Sequence, residues 1–204
     1  MEGSRDVVAE AADRSRSGGL RAVLLGAPGR GKGTQAEFLA ASLGVPAIST
    51  GAMLRDAVAH GSALGSKVEG IMACGGLVDD ALMAEVVRER LGRPDAAGGF
   101  LLDGYPRTTG QAAMLDSILA ERQEQLDAVL LLEVPEAVLV ERAVARKRAD
   151  DREEVVRERL RVYREKTEPL VELYERRNLL LRVDGNRTMR EVTSASLKML
   201  GRQA

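Results

Sequence analysis

The segment LRAVLLGAPGRGKGT, residues 20–34, decides the fold of this chain of 204 residues. Its first part, Leu20 to Leu25, is a short apolar run that ends at a glycine, which is typical of a buried parallel strand. A helical pattern follows from Gln35 to Leu43 and ends at Gly44, a residue type that commonly closes helices. The glycines between strand and helix permit a turn whose backbone N–H groups surround a phosphate at the positive end of the helix. The segment therefore predicts a phosphate-binding loop.

Lys32 is a second signal in this loop, because lysine accounts for only five of the 30 basic residues. A mobile ammonium group at this place suits the β- and γ-phosphates of a nucleoside triphosphate. The usual pattern has Ser or Thr directly after the lysine, whereas Gly33 stands before Thr34 here. A glycine-rich turn that only connects a strand to a helix is the alternative, and the lysine favours phosphate binding over it.

The rest of the chain continues the alternation of strands and helices. Further extended segments are predicted at Val45–Ile48, Phe100–Leu102, Ala128–Leu132 and Leu179–Val183, with helical patterns between them. Together with the first strand they predict an α/β fold, a parallel sheet of five strands covered by helices on both faces.

Two stretches interrupt this alternation. Residues 49–78 hold two short helical patterns, Ala52–Ala59 and Leu64–Ala73, and no extended run, which predicts a helical lobe inserted between strands. Residues 142–151 form a smaller interruption. It lies between an amphipathic helix at Pro135–Ala145 and a long charged helix from Arg152 to about Arg176.

The composition limits the classes of function. A length of 204 residues favours one domain, and 30 basic against 31 acidic residues give no global field for nucleic acid or an anionic membrane. The apolar runs are too short to span a bilayer. Cys74 is the only cysteine, which excludes an internal disulfide or a multi-thiolate zinc site and favours a reducing compartment, the cytoplasm. Residues 1–19 lack the features of an export signal and are interpreted as an extension, either disordered or helical, with disorder favoured.

Five motifs in order make the chain resemble a known family. They are GAPGRGKGTQ at 26–35, ISTGAMLR at 48–55, GGLV at 75–78, DGYPR at 103–107 with Gln111, and RADD at 148–151 before Arg159. In this order and spacing they resemble the adenylate kinase family in its short-lid form, over roughly residues 22–201. The resemblance implies a P-loop NTPase-type sheet in a single domain, residues 20–204, with an AMP-binding lobe at 49–78 and a lid at about 142–151. It also implies a monomer.

The resemblance further implies a reaction and the residues that carry it. The reaction is reversible transfer of the γ-phosphoryl group of ATP to AMP, giving two ADP, by direct in-line transfer with Mg²⁺. Asp103 would hold the Mg²⁺ through water, which suits an ion that favours few protein ligands. The catalytic residues implied are Lys32, Asp103, Arg107, Arg142, Arg146, Arg148 and Arg159. Those implied for ATP are Gly29, Arg30, Gly31, Lys32, Gly33, Thr34, Arg142 and Arg187. Those implied for AMP are Thr50, Arg55, Gly76, Leu77, Val78, Gly104, Tyr105, Pro106, Arg107, Gln111, Arg148 and Arg159.

Two of these residues bear on the choice of acceptor. By resemblance Thr50 and Gln111 approach the base, and the donor and acceptor of a Gln amide suit the N1/N6 edge of adenine. Related pyrimidine monophosphate kinases typically carry Ala and Asn there, so AMP is favoured. Two alternatives stay open: a kinase for another nucleoside monophosphate, and a nucleotide-binding protein without turnover. The second is suggested by departures from the family pattern at Ala52, Asp79, Ala145 and Lys147, and by Arg30, which either adds a phosphate contact or crowds the loop.

Overall fold

The structure is a computed structural model that describes residues 19–135, 139 and 152–201. Most of the predicted extension, the predicted lid at 142–151 and nearly all of the predicted helix Pro135–Ala145 lie outside these residues. Arg142, Arg146 and Arg148 therefore keep the status of predictions. Ala145 and Lys147 lie outside the described residues as well.

One parallel sheet of five strands forms the centre of the described part of the chain, as predicted. The strands are β1 Arg21–Leu25, β2 Ala47–Ser49, β3 Phe100–Asp103, β4 Ala128–Glu133 and β5 Leu180–Asp184. Their order in the sheet is β2-β3-β1-β4-β5. Strand β1 lies in the middle, with Ala22 opposite Leu101 of β3 on one side and Ala128 of β4 on the other. A change of strand order of this kind opens a crevice at the carboxyl ends of the strands, where ligands bind in α/β folds.

Helices connect the strands and cover the sheet. The helices with described bounds are α1 Lys32–Leu43, α2 Thr50–Ala59, α3 Ala63–Ala73, α4 Asp80–Leu91, α5 Thr109–Ala120, α6 Glu153–Val162, α7 Pro169–Arg176 and α8 Met189–Met199. Helices α2 and α3 form the predicted lobe between β2 and α4. Among the helices described, none combines the length and apolar character that a membrane crossing requires.

Both faces of the sheet are buried, because successive side chains of a strand point to opposite sides. On one face Val23 and Leu25 of β1 pack in a core with residues of α4, α5 and α7. On the other face Ala22 and Leu24 pack with residues of α1 and α8. This two-sided burial explains why the strands appear in the sequence as nearly continuous apolar runs.

The long charged helix predicted from Arg152 to about Arg176 is interrupted. Helix α6 ends at Val162 and is followed by a π-helical turn, Tyr163–Thr167, before α7 begins at Pro169. Proline has no N–H to donate to the preceding turn. The chain instead closes a wider turn, in which the N–H of Glu168 donates to the carbonyl of Tyr163 at 2.9 Å. Turns of this kind occur frequently at functional sites.

Candidate active site

A cleft of about 560 Å³ opens at the carboxyl ends of β1, β2 and β3. Its walls come from the glycine-rich loop, the α2–α3 lobe, the segment after β3 and the π-helical turn after α6. Most of the predicted site residues with described positions line this one cleft. They are Gly29, Arg30, Gly31, Lys32, Gly33, Thr34, Thr50, Arg55, Gly76, Leu77, Val78, Asp103, Gly104, Pro106, Arg107, Gln111 and Arg159.

The glycine-rich loop is shaped by its own backbone and by Lys32. The Lys32 ammonium donates to the carbonyls of Gly26 at 2.7 Å and Ala27 at 3.1 Å, so it closes the loop across its mouth. Gly29 has a φ of +85°, and a Cβ added there would lie 2.4 Å from the carbonyl oxygen of Leu139. The positive φ and the nearby carbonyl oxygen therefore each require glycine at this position. Helix α1 begins at Lys32, three residues before the predicted start, because the chain enters the helix directly from Gly31.

The Arg30 side chain contacts the end of β4 and the π-helical turn. Its Nη1 donates to the carbonyl of Leu132, at the end of β4, at 2.5 Å. Its guanidinium carbon lies 5.8 Å from the centre of the Tyr163 ring, a distance at which cation–π attraction operates. The Arg30 side chain thus ties the phosphate loop to β4 and to the π-helical turn.

Asp103 lies at the carboxyl end of β3 beside the phosphate loop, as predicted. Its Oδ2 accepts a hydrogen bond from the hydroxyl of Ser49 at 3.3 Å, and a Cβ added at Gly33 would lie 3.8 Å from the same atom. A single carboxylate next to the expected phosphates fits Mg²⁺, which is commonly bound by one or two carboxylates plus substrate phosphates and waters.

Three arginines, Arg55, Arg107 and Arg159, lie near one another in the cleft. Burial lowers the pKa of the Arg107 guanidinium, and the charges of Arg159 and Arg55 lower it further, against the opposing effect of Asp103. Arg107 Nε donates to the carbonyl of Gly104 at 2.8 Å. The Arg55 guanidinium lies over Gly51, since a Cβ added at Gly51 would be 3.4 Å from Arg55 Nη1. The crowding of like charge in a cleft marks a site for a strongly anionic group.

Thr50, Gly104 and Gln111 form another part of the cleft wall. Thr50 and Gln111 are each 2% exposed, and the Thr50 hydroxyl donates to the carbonyl of Asp103 at 3.3 Å. Gly104 has a φ of +87°, and a Cβ there would lie only 2.8 Å from Thr50 Oγ1. Tyr105, predicted to contact AMP, is 1% exposed and packs in the core behind the cleft. Burial raises the pKa of its phenol.

A second cavity, of about 320 Å³, adjoins the phosphate loop on the side of α8. Arg187 lines this cavity, and its Nε donates to Asp184 Oδ2 at 2.9 Å. Gln35 also lines it and is held by α8: Gln35 Nε2 donates to the Met189 carbonyl at 2.9 Å. Of the predicted ATP residues, Gly29, Arg30 and Gly31 border both cavities.

The structure adds residues that the sequence analysis missed. Asp80, the first residue of α4, accepts hydrogen bonds from Gln111 and Thr108. Thr167 in the π-helical turn contacts the backbone of Arg107.

An acidic residue at the start of a helix commonly caps it. In α4 the cap is Asp79 and not Asp80, because Asp79 Oδ1 accepts from the N–H groups of Ala81 and Leu82. The aspartate that departs from the family pattern at position 79 is thus a helix cap.

The fold and the cleft place this chain in the class of P-loop nucleotide kinases, in which backbone N–H groups and a lysine hold the donor phosphates. Within that class the chain belongs to the adenylate kinase family, whose family model, described as adenylate kinase, matches residues 24–179. It is accordingly a phosphotransferase, a nucleoside monophosphate kinase.

Individual relatives agree with the family assignment. An adenylate kinase of Nocardia farcinica is 49% identical over 183 residues, which cover 90% of this chain and all of the relative. An adenylate kinase of Gloeobacter violaceus is 42% identical, with 89% of this chain and 98% of the relative covered. Adenylate kinase 1 of a Synechocystis strain is 46% identical, with 87% and 95% covered.

Proposed function

We propose that this chain catalyses the reversible reaction MgATP + AMP ⇌ MgADP + ADP, by direct in-line transfer of the γ-phosphoryl group. The observation that carries the proposal is the convergence of Arg55, Arg107 and Arg159 on the cleft that also holds Lys32. One side of the cleft suits a triphosphate and the other suits the phosphate of an acceptor. Phosphoryl transfer asks little covalent chemistry of the protein and depends on positioning and on stabilising negative charge.

On the donor side, the backbone of residues 29–34 would hold the ATP phosphates, with the Lys32 ammonium moving from the loop carbonyls to the β- and γ-phosphates. Asp103 would hold Mg²⁺ through water, and Thr34 lines the same cleft. The bound ion would supply neutralisation of the phosphate charge. The base would occupy the second cavity, next to Arg187.

On the acceptor side, Arg55 and Arg107 would bind the AMP phosphate, because two guanidinium groups offer fixed pairs of donors. Thr50 and Gln111 would contact the adenine. Gly76, Leu77 and Val78 line the same cleft and would form the wall along the nucleoside. Arg159 would contact the phosphates from α6.

Arg142, Arg146 and Arg148 would complete the site from the lid. In this proposal Arg142 lies near the ATP base, and Arg146 and Arg148 stabilise the transferring group. Closure of such a lid excludes water, which protects the γ-phosphoryl group from hydrolysis.

The oligomeric state, the partners and the cellular compartment are also part of the proposal. We propose a monomer that acts on small nucleotides in the cytoplasm and takes neither nucleic acid nor membrane as a partner. The exposed thiol of Cys74 supports a reducing compartment.

The test is to supply MgATP with AMP, CMP, UMP or GMP in turn and to separate the nucleotides produced. We expect AMP to be the preferred acceptor and two ADP to form for each ATP consumed. Preference for another monophosphate would reassign the acceptor. Nucleotide binding without product from any acceptor would instead support a binding protein that has lost turnover.

A further inference from the structure

The side-chain amide of Gln111 is held by hydrogen bonds at both ends. Its Oε1 accepts from the backbone N–H of Arg107 at 2.8 Å, and its Nε2 donates to Asp80 Oδ1 at 2.8 Å. Gln111 is 2% exposed, so neither bond competes with bulk water. A buried amide with two such partners has a single orientation.

The chemistry of the two partners decides which orientation this is. A backbone N–H can only donate, and an ionised carboxylate can only accept. Turning the Gln111 amide by half a rotation would set its NH₂ group against the Arg107 N–H and its carbonyl against the Asp80 carboxylate. Both hydrogen bonds would be lost, and each would be replaced by a repulsive contact.

Asp80 is itself fixed in place by a neighbouring side chain. Its other carboxylate oxygen, Oδ2, accepts from the Thr108 hydroxyl at 2.7 Å. The same Thr108 hydroxyl accepts from the N–H of Gln111 at 3.0 Å and so caps α5. The carboxylate therefore has one oxygen for Thr108 and one for Gln111.

In this orientation the amide keeps one lone pair on Oε1 and one N–H on Nε2 for a ligand. Adenine presents a matching pair on its N1/N6 edge, because N6–H donates and N1 accepts. A 6-oxopurine presents the reverse pair, because O6 accepts and N1–H donates. An amide that is free to turn would accept either kind of base.

We propose that Asp80 is a positioning residue that locks the Gln111 amide and so makes the acceptor site reject 6-oxopurine nucleotides. The inference rests on the proposed function, in which Gln111 contacts the acceptor base. Asp80 touches no substrate in this account. It acts through Gln111 alone, and specificity arises because the wrong base would meet unpaired polar groups.

The experiment compares Asp80→Asn with the wild type, using AMP and IMP as acceptors. In the variant, an Asn oxygen kept for Thr108 turns the Asn NH₂ group towards Gln111. Each orientation of the Gln111 amide then makes one of the two hydrogen bonds, so the preference for the adenine-matching orientation is lost. We expect the ratio of kcat/KM for AMP to that for IMP to fall by at least about tenfold, the size expected for one such hydrogen bond. KM for ATP is expected to stay unchanged.

Asp79→Asn is the matched control. It removes the same charge from the neighbouring residue, and Asn caps helices as well as Asp does. Asp79 has no hydrogen bond to Gln111 among the contacts of the described residues. We expect its AMP to IMP ratio to equal that of the wild type. Loss of stability alone would lower both rates of a variant together and leave the ratio unchanged.

A measurement on the wild type makes the test independent of how the variant folds. With ¹⁵N-labelled glutamine, the side-chain amide of Gln111 is expected to exchange its protons far more slowly than the exposed amide of Gln125. Exchange as fast as that of Gln125, or an unchanged ratio in a folded Asp80→Asn protein, would overturn the inference. A wild type that phosphorylates neither AMP nor IMP would overturn the proposed function instead.

Discussion

The hydroxyl of Thr167 donates a 2.8 Å hydrogen bond to the backbone carbonyl of Arg107. Thr167 is 5% exposed and is the last residue of the π-helical turn that follows α6. The bond joins the helical arm that carries Arg159 to the strand-end segment that carries Arg107. Two of the arginines that line the cleft are thus positioned against each other through the backbone.

Replacing Thr167 by Val removes this bond at nearly constant volume. We expect the protein to lose about 1 kcal/mol of stability and kcat/KM for AMP to fall by about fivefold to tenfold, the kinetic equivalent of about 1 kcal/mol, because Arg107 is less well held. Steady-state kinetics and urea unfolding measure both. Thr167→Ser keeps the hydroxyl and is expected to behave like the wild type. Equal kinetics for the Val and Ser variants would contradict the positioning role.

Arg107→Lys keeps the positive charge and removes the planar pair of donors. We expect kcat/KM for AMP to fall by about 100-fold, with a much smaller change in KM for ATP, because we propose that Arg107 binds the AMP phosphate. Initial rates at varied AMP and varied ATP separate these effects. The control is Arg161→Lys, since Arg161 is 56% exposed and pairs with Glu158 and Glu165 on the surface of α6. A comparable loss in the control would mean that any arginine in this region matters.

Arg30→Ala tests the departure from the family pattern in the phosphate loop. The Arg30 side chain donates to the Leu132 carbonyl and lies over the Tyr163 ring. We expect the free energy of unfolding to fall by about 1–2 kcal/mol, as measured by urea denaturation. Arg190→Ala, at an exposed position of α8, is the control for loss of an arginine. A fully stable Arg30→Ala protein with a raised KM for ATP would mean that the guanidinium binds phosphate.

Glu124 gives the protein a pH-dependent contribution to stability. Burial acts to raise the pKa of its carboxyl, but hydrogen bonds from Arg21 and Arg122 outweigh burial and lower it below the ordinary 4.5. A carboxyl whose pKa is lower in the folded state stabilises the fold above pH 4.5, and the contribution is lost as the pH falls through the lowered value.

The matching experiment is urea unfolding of Glu124→Gln and wild type across this range. We expect the variant to be less stable by about 2 kcal/mol near neutral pH and the difference to shrink steadily as the pH falls below 4.5. Glu172→Gln serves as the control, because Glu172 is 72% exposed in its pair with Arg176. A difference that stays constant down to strongly acidic pH would refute the assignment.

The sequence was sufficient for the sheet and the phosphate loop, because both depend on local patterns. A strand buried on two faces must be apolar throughout, and a loop that wraps a phosphate must be rich in glycine. Strand bounds were therefore predicted to within one residue, apart from the start of the short β2, which was two residues early.

Features that depend on distant contacts were not predicted. The direction of the Arg30 side chain depends on the Leu132 carbonyl, which is 102 residues away in sequence. The bond between Asp80 and Gln111 spans 31 residues and requires α4 and α5 to pack together. Pro169 does signal a helix boundary, but a single proline does not distinguish a π-helical turn from a kink or an ordinary end.

The buried charge of Arg107, close to Arg55 and Arg159, links the lifetime of the protein to the supply of its ligands. Burial, with smaller contributions from Arg159 and Arg55, lowers the pKa of Arg107, so the fold holds this positive charge at a cost. An anion bound between them removes that cost only in the folded state, so a well-supplied nucleotide pool shifts the chain away from unfolding. Since proteolysis acts on the unfolded chain, the abundance of this protein would follow the total supply of the nucleotides it binds, without any dedicated regulator.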